Sequence, residues 1–219
     1  MKWGLLAVMS TTVLTACQSQ PKNEADTVSG ASIKTPREII KSPVKKTDFL
    51  LGTAVALSVY HPNTEEVITS ALEMIKDLEK RITVNASGSE VDEVNLAAGE
   101  KPVKVSADVY ELIKLGLKYS EEFDGAFDIT VGPLTALWHI GFDDAKKPTQ
   151  EEIDAVLPLV NYKDVELNDA EQTVFLKKKG MQLDLGGIAK GYIADKVWEY
   201  FAKEGITTAV IDLGGNIVV

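Results

Sequence analysis

The sequence predicts a folded domain that mixes β-strands with α-helices, and three observations support this. Apolar and small residues alternate from Phe49 to Tyr60, as expected of a strand. The residues after that stretch repeat with the spacing of an amphipathic helix. Near the end of the chain, an apolar stretch from Met181 to Leu185, a helix from Ala189 to Glu204 and a strand from Ala209 to Leu213 form a βαβ-like unit. Residues 47–219 are numerous enough to enclose one hydrophobic core.

The N-terminus has the pattern of an export signal. Lys2 is followed by an apolar run from Trp3 to Val13 and then by Leu14-Thr15-Ala16-Cys17. Such a run is too short to span a bilayer, so residues 1–16 are predicted to be a cleaved signal peptide. The last four residues resemble the lipobox of bacterial lipoproteins, which predicts lipidation of Cys17 and anchoring at the extracytoplasmic face of the cell membrane. An ordinary signal peptide with a chance cysteine is the alternative.

Composition separates a linker from an acidic domain. Residues 17–46 are polar, without apolar periodicity, and are predicted to form a disordered tether after Cys17. Residues 47–219 contain 16 basic and 30 acidic residues, a net charge of −14. A surface this acidic argues against a nucleic acid as partner. Because Cys17 is the only cysteine, no intramolecular disulfide can form.

Capping signals place the helices along the chain. The predicted first residues or caps are Asn63 with Glu66, Ser106, and Thr149 with Glu152. The first helix should end near Arg81, the second near Glu122 and the third before Pro158.

The remaining stretches are predicted as follows. Residues 85–95 are polar and contain Ser and Gly, which indicates a loop. Residues 165–167 and 173–176 should pair as a hairpin. Residues 209–219 read as a strand, a turn and the start of another strand. Since a domain seldom stops inside an apolar strand, the sequence is expected to be a piece of a longer domain.

The stretch from Asp184 to Lys190 is the most informative about function. Gly186 and Gly187 stand where the predicted strand turns into the predicted helix. Glycines let backbone N–H groups approach a ligand, and the start of a helix favours negative charge. Lys190 adds a positive charge suited to phosphate, and Asp184 can hold a hydroxyl, an amide or a metal. An ordinary turn with a lysine reaching solvent is the alternative.

Neither common phosphate-binding motif matches this turn. The phosphate loop of NTPases needs Gly-Lys-Ser/Thr, whereas Lys190 follows Ala189 and precedes Gly191. The dinucleotide motif Gly-x-Gly-x-x-Gly is absent as well. A second Asp-Leu-Gly-Gly begins at Asp212, 28 residues after the first. If the two strands run parallel, both acids should meet at one edge of a sheet.

Other candidate residues are less specific. Asp128 lies among apolar residues and is expected either to cap a helix or to contact a ligand, because an unpaired buried carboxylate is unfavourable. His61 and His139 lack the spacing of metal ligands. His61 lies in a predicted turn, and His139, between Trp138 and Ile140, is expected to pack with one nitrogen hydrogen-bonded. Ser87 and Ser89 have no histidine nearby, so serine nucleophile chemistry has no support.

Taken together, these stretches resemble the flavin transferases of the ApbE type (FAD:protein FMN transferases). The matching stretches are Leu51-Gly52-Thr53, Ser89-Glu90 with Asn95, Gly125 to Trp138, Leu183 to Asp195, and Asp212 to Asn216. The resemblance runs from about residue 48 to the end. It implies an α+β, T-fold-like architecture, a mixed sheet with flanking helices that is incomplete at the C-terminus.

The resemblance also implies an activity: Mg²⁺-dependent transfer of FMN from FAD to a threonine or serine of a redox protein. The residues it places at FAD are Asn85, Ala126, Phe127, Asp128, Asp184 and Lys190, and it gives the Gly187 carbonyl to Mg²⁺. Many members have a tyrosine near position 85 that stacks on a ring of FAD, which Asn85 cannot do. The catalytic residues and the remaining Mg²⁺ ligands are expected beyond Val219.

Two other functions stay open from the sequence. An FAD pyrophosphatase would release FMN and AMP without an acceptor protein. A lipoprotein that only binds a nucleotide or another solute would perform no chemistry.

Overall fold

The computed structural model describes residues 34–219. The predicted signal peptide, the lipidation site Cys17 and residues 17–33 of the predicted tether lie outside the described residues. Within the described part of the chain, no helix combines the length and apolar character needed to cross a bilayer.

Seven strands and six α-helices make up this part of the chain. The strands are β1 (Val44–Leu50), β2 (Thr53–Val59), β3 (Val103–Lys104), β4 (Val165–Asn168), β5 (Thr173–Leu176), β6 (Ala209–Leu213) and β7 (Asn216–Val218). The helices are α1 (Glu65–Ile82), α2 (Glu90–Leu96), α3 (Ala107–Glu122), α4 (Gly132–Trp138), α5 (Gln150–Val156) and α6 (Ala189–Lys203). Short 3₁₀ turns follow α5 and precede β4.

The strands form two antiparallel sheets. The larger has the order β1-β2-β6-β7, and the smaller has the order β3-β5-β4. The pairing of Val165–Asn168 with Thr173–Leu176 confirms the predicted hairpin. Strand β6, a turn and β7 confirm the strand, turn and second strand predicted for residues 209–219. Alternate residues of β2 and β6 are fully buried, and α1 and α6 contribute further side chains to the same core. Its members include Val55, Leu57, Val59, Ile68, Ile75, Ile193, Phe201 and Ile211.

The predicted single strand from Phe49 to Tyr60 is wrong, because the chain reverses within it. Leu51 and Gly52 both have positive φ angles, of 55° and 67°, and form a two-residue hairpin turn between β1 and β2. The Leu51 N–H donates to Glu79 Oε1 at 2.8 Å, which ties this turn to α1. Alternation continues through both strands, so periodicity alone could not reveal the turn.

The predicted C-terminal boundary of the tether, at residue 46, is also wrong. Strand β1 begins at Val44, and the chain before it is bonded to the domain. Arg37 donates from its backbone N–H to Gly205 and from Nε to the Glu204 carbonyl. His61, which is fully buried, lies with Nδ1 2.7 Å from the Glu38 carbonyl oxygen, and its Nε2 accepts from the Thr207 N–H.

The helices agree with the sequence pattern better than the strands do. α1, α3, α5 and α6 all occur where the sequence predicts a helix. Thr149 and Glu152 form the predicted capping box. The box predicted at Asn63 is wrong, because Asn63 has a φ of 55° and Thr64 precedes the helix instead. The loop predicted over residues 85–95 is wrong from residue 90 onward, where Ser89 caps α2.

The predicted strand from Met181 to Leu185 is an extended segment with one isolated parallel bridge, between Val131 and Gln182. It does not join the sheet of β6, whose two neighbours are both antiparallel. The βαβ-like unit is therefore wrong, and the condition under which Asp184 and Asp212 would meet, that their strands run parallel in one sheet, is not fulfilled.

An amide side chain takes the place of a neighbouring strand for this segment. Asn95 Oδ1 accepts from the Leu183 N–H at 2.7 Å, and Asn95 Nδ2 donates to the Leu183 carbonyl at 3.1 Å. The segment is thus fixed by Val131 on one side and by α2 on the other.

Candidate functional site

Two adjoining cavities lie around the extended segment before α6. The larger has a volume of about 650 Å³ and the smaller about 200 Å³. Val84, Asn85 and Asp184 line both cavities. The larger is bounded mainly by α2, by α4 and the loop after it, and by residues 182–184, while the smaller is bounded by the β1–β2 turn, the end of α1 and the start of α6.

Asp184 stands between the cavities with both carboxylate oxygens bonded. Its Oδ1 accepts from the Gly186 N–H at 2.9 Å, and its Oδ2 lies 2.8 Å from the Thr135 hydroxyl. The Asp184 N–H in turn donates to the Ile129 carbonyl at 2.8 Å. The carboxylate therefore shapes the turn that follows it and joins that turn to α4.

The glycine turn and Lys190 border the smaller cavity. Gly186 and Gly187 are exposed, and α6 begins two residues later at Ala189. Lys190 is half-buried in the first turn of that helix and lines the cavity. Within residues 34–219 its ammonium group forms no ion pair, in contrast to Lys177, Lys178 and Lys196. A lysine in this position can pair with an anion from outside the chain.

Helix α6, which carries Lys190, is held in place by α3. The Tyr192 hydroxyl lies 2.8 Å from Glu111 Oε2, and Lys196 Nζ is 2.9 Å from the same oxygen. Burial raises the pKa of Tyr192, and the bond to Glu111 raises it further. The hydrogen bonds from Lys196 and Tyr192 hold the pKa of Glu111 below its usual range. At neutral pH, Tyr192 is therefore a protonated donor to a carboxylate.

The Gly187 carbonyl is suited to a hard cation. Among residues 34–219, no backbone or side-chain donor bonds to this oxygen. Mg²⁺ prefers oxygen ligands and commonly keeps water and substrate phosphates in its shell. No group of three or more His, Cys, Asp or Glu side chains in the described residues is arranged to hold a metal ion. The carbonyl thus fits as one ligand of a site completed by other oxygen atoms.

Four of the predicted site residues line neither cavity, namely Ala126, Phe127, Asp128 and Gly187, although Gly187 directly follows Gly186, which lines the smaller one. Asp128 Oδ1 accepts from the Thr130 N–H at 2.8 Å, and Oδ2 accepts from the Tyr162 N–H at 2.9 Å. The expectation that Asp128 is hydrogen-bonded is confirmed, and one of its partners, Tyr162, is the first residue of the 3₁₀ turn before β4. Phe127 lies beside the glycine turn, because a Cβ added at Gly187 would be 3.1 Å from its ring.

The fold also brings to the site Thr135, which the sequence does not single out, and His139, for which the sequence predicts only packing. The Thr135 hydroxyl donates to Asp184, although no sequence motif singles out Thr135 within the stretch from Gly125 to Trp138. His139 ends α4 in the left-handed conformation, and its Nδ1 lies 2.6 Å from Asp144 Oδ1. Its ring also stacks on Phe142, with 4.0 Å between the ring centroids, and one nitrogen is bonded as expected, but the side chain is 41% exposed and lines the larger cavity. A threonine inside a short apolar helix was the available signal for Thr135.

Known proteins match the same part of the chain that carries the family resemblance. The model of the ApbE family matches residues 51–219. A relative named FAD:protein FMN transferase, from Klebsiella pneumoniae, is 40% identical over 168 residues, which cover 77% of this chain and 53% of the relative. A relative of the same name from Treponema pallidum is 33% identical and is covered over 50% of its length, against 78% of this chain. The chain spans about half the length of the curated relatives it matches.

Solved structures agree with the fold. The ApbE protein of Thermotoga maritima superimposes with a TM-score of 0.74 at 31% identity, covering 80% of this chain and 58% of that one. The flavin transferase ApbE of Vibrio cholerae has the same coverage and a TM-score of 0.72 at 24% identity, which supports the fold alone. These matches confirm the predicted ApbE-like α+β fold. The family match covers more than three quarters of the sequence, and the chain therefore belongs to the ApbE family.

Proposed function

We propose that the complete protein transfers FMN from FAD to a threonine or serine hydroxyl of an acceptor redox protein. The observation that carries the proposal is the 40% identity to a relative named FAD:protein FMN transferase. That relative is about twice as long as the matched region, so the activity is assigned to the complete protein.

The reaction needs a binding site for a diphosphate and stabilisation of the charge that develops on it. The acceptor hydroxyl oxygen forms a bond to the phosphorus of the FMN half, the bond between the two phosphates breaks, and AMP leaves while the hydroxyl proton passes to a base. Preorganised positive charge lowers the barrier to such a transfer. Lys190 supplies one positive charge beside the smaller cavity.

The two cavities suit the two parts of FAD. Apolar and aromatic side chains such as Leu134, Trp138 and Phe142 line the larger cavity, which favours a planar ring. The glycine turn and Lys190 favour the diphosphate at the smaller one. Asn85 and Asp184 line both and would contact the substrate where its two parts join. We assign Phe127 a supporting role behind Gly187, together with Ala126 and Asp128 in the same stretch.

Mg²⁺ and the membrane complete the proposal. Mg²⁺, held in part by the Gly187 carbonyl, would offset negative charge on the diphosphate. Cleavage before Cys17 and lipidation of that residue would tether the enzyme at the extracytoplasmic face of the membrane, next to membrane-bound acceptors. The lipobox-like sequence supports this location.

The test uses the complete protein with FAD, Mg²⁺ and its acceptor protein. We expect the acceptor to gain the mass of covalently bound FMN, and AMP to appear in equal amount. If FMN and AMP are released while the acceptor keeps its mass, the protein is an FAD pyrophosphatase and the transferase proposal is wrong. If FAD binds without turnover, the protein is a binding lipoprotein.

A further inference from the structure

The turn between β1 and β2 contains a residue in a backbone conformation that its side chain disfavours. Leu51 has a φ of 55°, in the left-handed region, and Gly52 after it has a φ of 67°. Glycine adopts this region freely, whereas leucine is strained there. Such strain persists only where neighbouring contacts hold the residue in place, and it is concentrated at functional sites. Both residues line the smaller cavity, as Lys190 does.

The contact that holds this turn comes from Glu79, near the end of α1. The Leu51 N–H donates to Glu79 Oε1 at 2.8 Å, across 28 positions of the sequence. Glu79 is half-buried and lines the smaller cavity as well. A hydrogen bond to a carboxylate is stronger than one between neutral groups. The bond from Glu79 therefore offsets the strain at Leu51.

A second contact limits the same turn. Gly214, between β6 and β7, has a φ of 67°, and a Cβ added there would collide with the side chain of Thr53. Thr53 is the first residue of β2 and directly follows Gly52. Gly214 belongs to the second Asp-Leu-Gly-Gly motif, which begins at Asp212. The end of α1 and the β6–β7 turn thus both contact the β1–β2 turn.

The charge of Glu79 does not explain its place in the smaller cavity. Two carboxylates, those of Glu79 and Asp184, line this cavity together with one lysine, Lys190. A negative charge on Glu79 opposes the binding of a diphosphate. The bond to Leu51 gives Glu79 a role that depends on its oxygen as a hydrogen-bond acceptor.

We propose that Glu79 is a positioning residue for the FAD site and acts through the β1–β2 turn. It holds Leu51 in the left-handed conformation, so that the turn forms a wall of the smaller cavity before FAD binds. A preformed wall spares FAD binding the free-energy cost of ordering the turn. This inference rests on the proposed function, because it concerns the site assigned to the diphosphate of FAD.

The experiment titrates FAD into the complete protein carrying Glu79→Leu or Glu79→Gln. Leucine removes the acceptor, so we expect FAD affinity to fall about tenfold, while kcat for FMN transfer at saturating FAD changes by less than about twofold. Glutamine keeps an acceptor oxygen and removes the negative charge, so it should bind FAD at least as tightly as wild type. The matched control is Glu73→Leu, because Glu73 is exposed on α1 and lines neither cavity.

A change at Leu51 separates positioning from a general loss of structure. Leu51→Asn creates an Asn-Gly pair, which favours two-residue hairpin turns with positive φ angles. In this background the turn no longer needs Glu79 to offset strain. Adding Glu79→Leu to Leu51→Asn should therefore lower FAD affinity by less than about threefold relative to Leu51→Asn alone.

Equal losses of FAD affinity in Glu79→Gln and Glu79→Leu would mean that Glu79 acts through its charge, and the positioning proposal would be wrong. It would also be wrong if Glu79→Leu binds FAD as tightly as wild type, or if its full loss persists in the Leu51→Asn background. If the wild type binds FAD but transfers no FMN, the proposed function fails, while the FAD affinities still decide the role of Glu79. If the wild type does not bind FAD, both proposals fail together.

Discussion

Gly132 shows how tightly single residues are constrained beside the site. Its N–H donates to the Gln182 carbonyl at 3.2 Å, and a Cβ at this position would lie 2.6 Å from that same oxygen. The neighbouring segment cannot retreat easily, because Asn95 holds it from the other side. The close approach of these two backbones therefore requires glycine.

We predict that Gly132→Ala lowers the free energy of unfolding by about 1–3 kcal/mol, the usual cost of overpacking. Gly191→Ala is the control, since a Cβ there has nothing within 4 Å and the residue lies in a helix. That change should be neutral or stabilising by up to about 1 kcal/mol. Urea denaturation measures both, and equal stabilities for the two variants would contradict the close approach.

Asn95 is a second residue on which the site depends. Replacing it by leucine removes both hydrogen bonds to Leu183 and leaves two buried backbone groups without partners. We expect Asn95→Leu to lower the free energy of unfolding by about 2 kcal/mol or more. It should also weaken FAD binding, because Asp184, which lines both cavities, directly follows Leu183. Asn85→Ala should leave stability unchanged, because Asn85 is exposed. Denaturation and FAD titration of the same samples check both expectations. Unaltered FAD binding by Asn95→Leu would argue against a coupling between the Asn95–Leu183 hydrogen bonds and the FAD site.

At this scale, a short motif was sufficient to name two residues that line the cavities, because Asp184 and Lys190 are close together in the chain. Asn85 lines the smaller cavity with Asp184 and Lys190 only because the end of α1 lies near the start of α6, and it was named through a family resemblance. Thr135 lies 49 positions from Asp184, and nothing local indicates their hydrogen bond. Contacts of that length depend on the fold.

Among the elements, α3 and the β4–β5 hairpin are joined by one titratable contact. The Tyr110 hydroxyl donates to Asp169 Oδ1 at 2.9 Å, and Lys114 Nζ lies 2.7 Å from the same oxygen. Burial of the ring, followed by the bond to Asp169, raises the pKa of Tyr110 to about 12. Because the folded pKa exceeds the unfolded value of about 10, folding favours the protonated form.

The pH dependence follows from that sign. The contribution of Tyr110 is fully present below about pH 10 and is lost as the pH rises toward 12. Since Asp169 is on the surface, solvent screening should limit the effect to about 1 kcal/mol. We predict that Tyr110→Phe flattens the loss of unfolding free energy between pH 9 and pH 12 relative to wild type. An identical slope in the two proteins would contradict this assignment.

The elements also show where sequence patterns succeed. The helices α1, α3 and α6 each carry a full apolar face, and that face is a local property of the chain. Strands depend on partners that the pattern does not reveal. Residues 181–185 are as apolar as a strand, but a side chain of α2 and one bridge take the place of a sheet. The turn at Leu51–Gly52 was hidden because alternation continues on both sides of it.

For the whole molecule, the site is assembled from parts of the chain that are far apart. Residues 84–96, 132–142 and 182–190 meet around the two cavities, and the sheet with α1 and α6 supplies the frame. The class of fold followed from element types and from the family resemblance, and the solved relatives confirm it. The arrangement of the cavities required the three-dimensional structure, since it arises from the crossing of those segments.

The central claim is that the diphosphate of FAD binds at the Gly186–Gly187 turn with Lys190 as its cationic partner. The most direct test compares Lys190→Ala with wild type in the complete protein, by FAD titration and by the rate of FMN transfer. Lys118→Ala is the matched control, because Lys118 is exposed on α3 and lines neither cavity. The account predicts that Lys190→Ala loses about tenfold or more in FAD affinity and in transfer rate, with stability and the control unchanged. Wild-type FAD affinity and turnover in Lys190→Ala would contradict it.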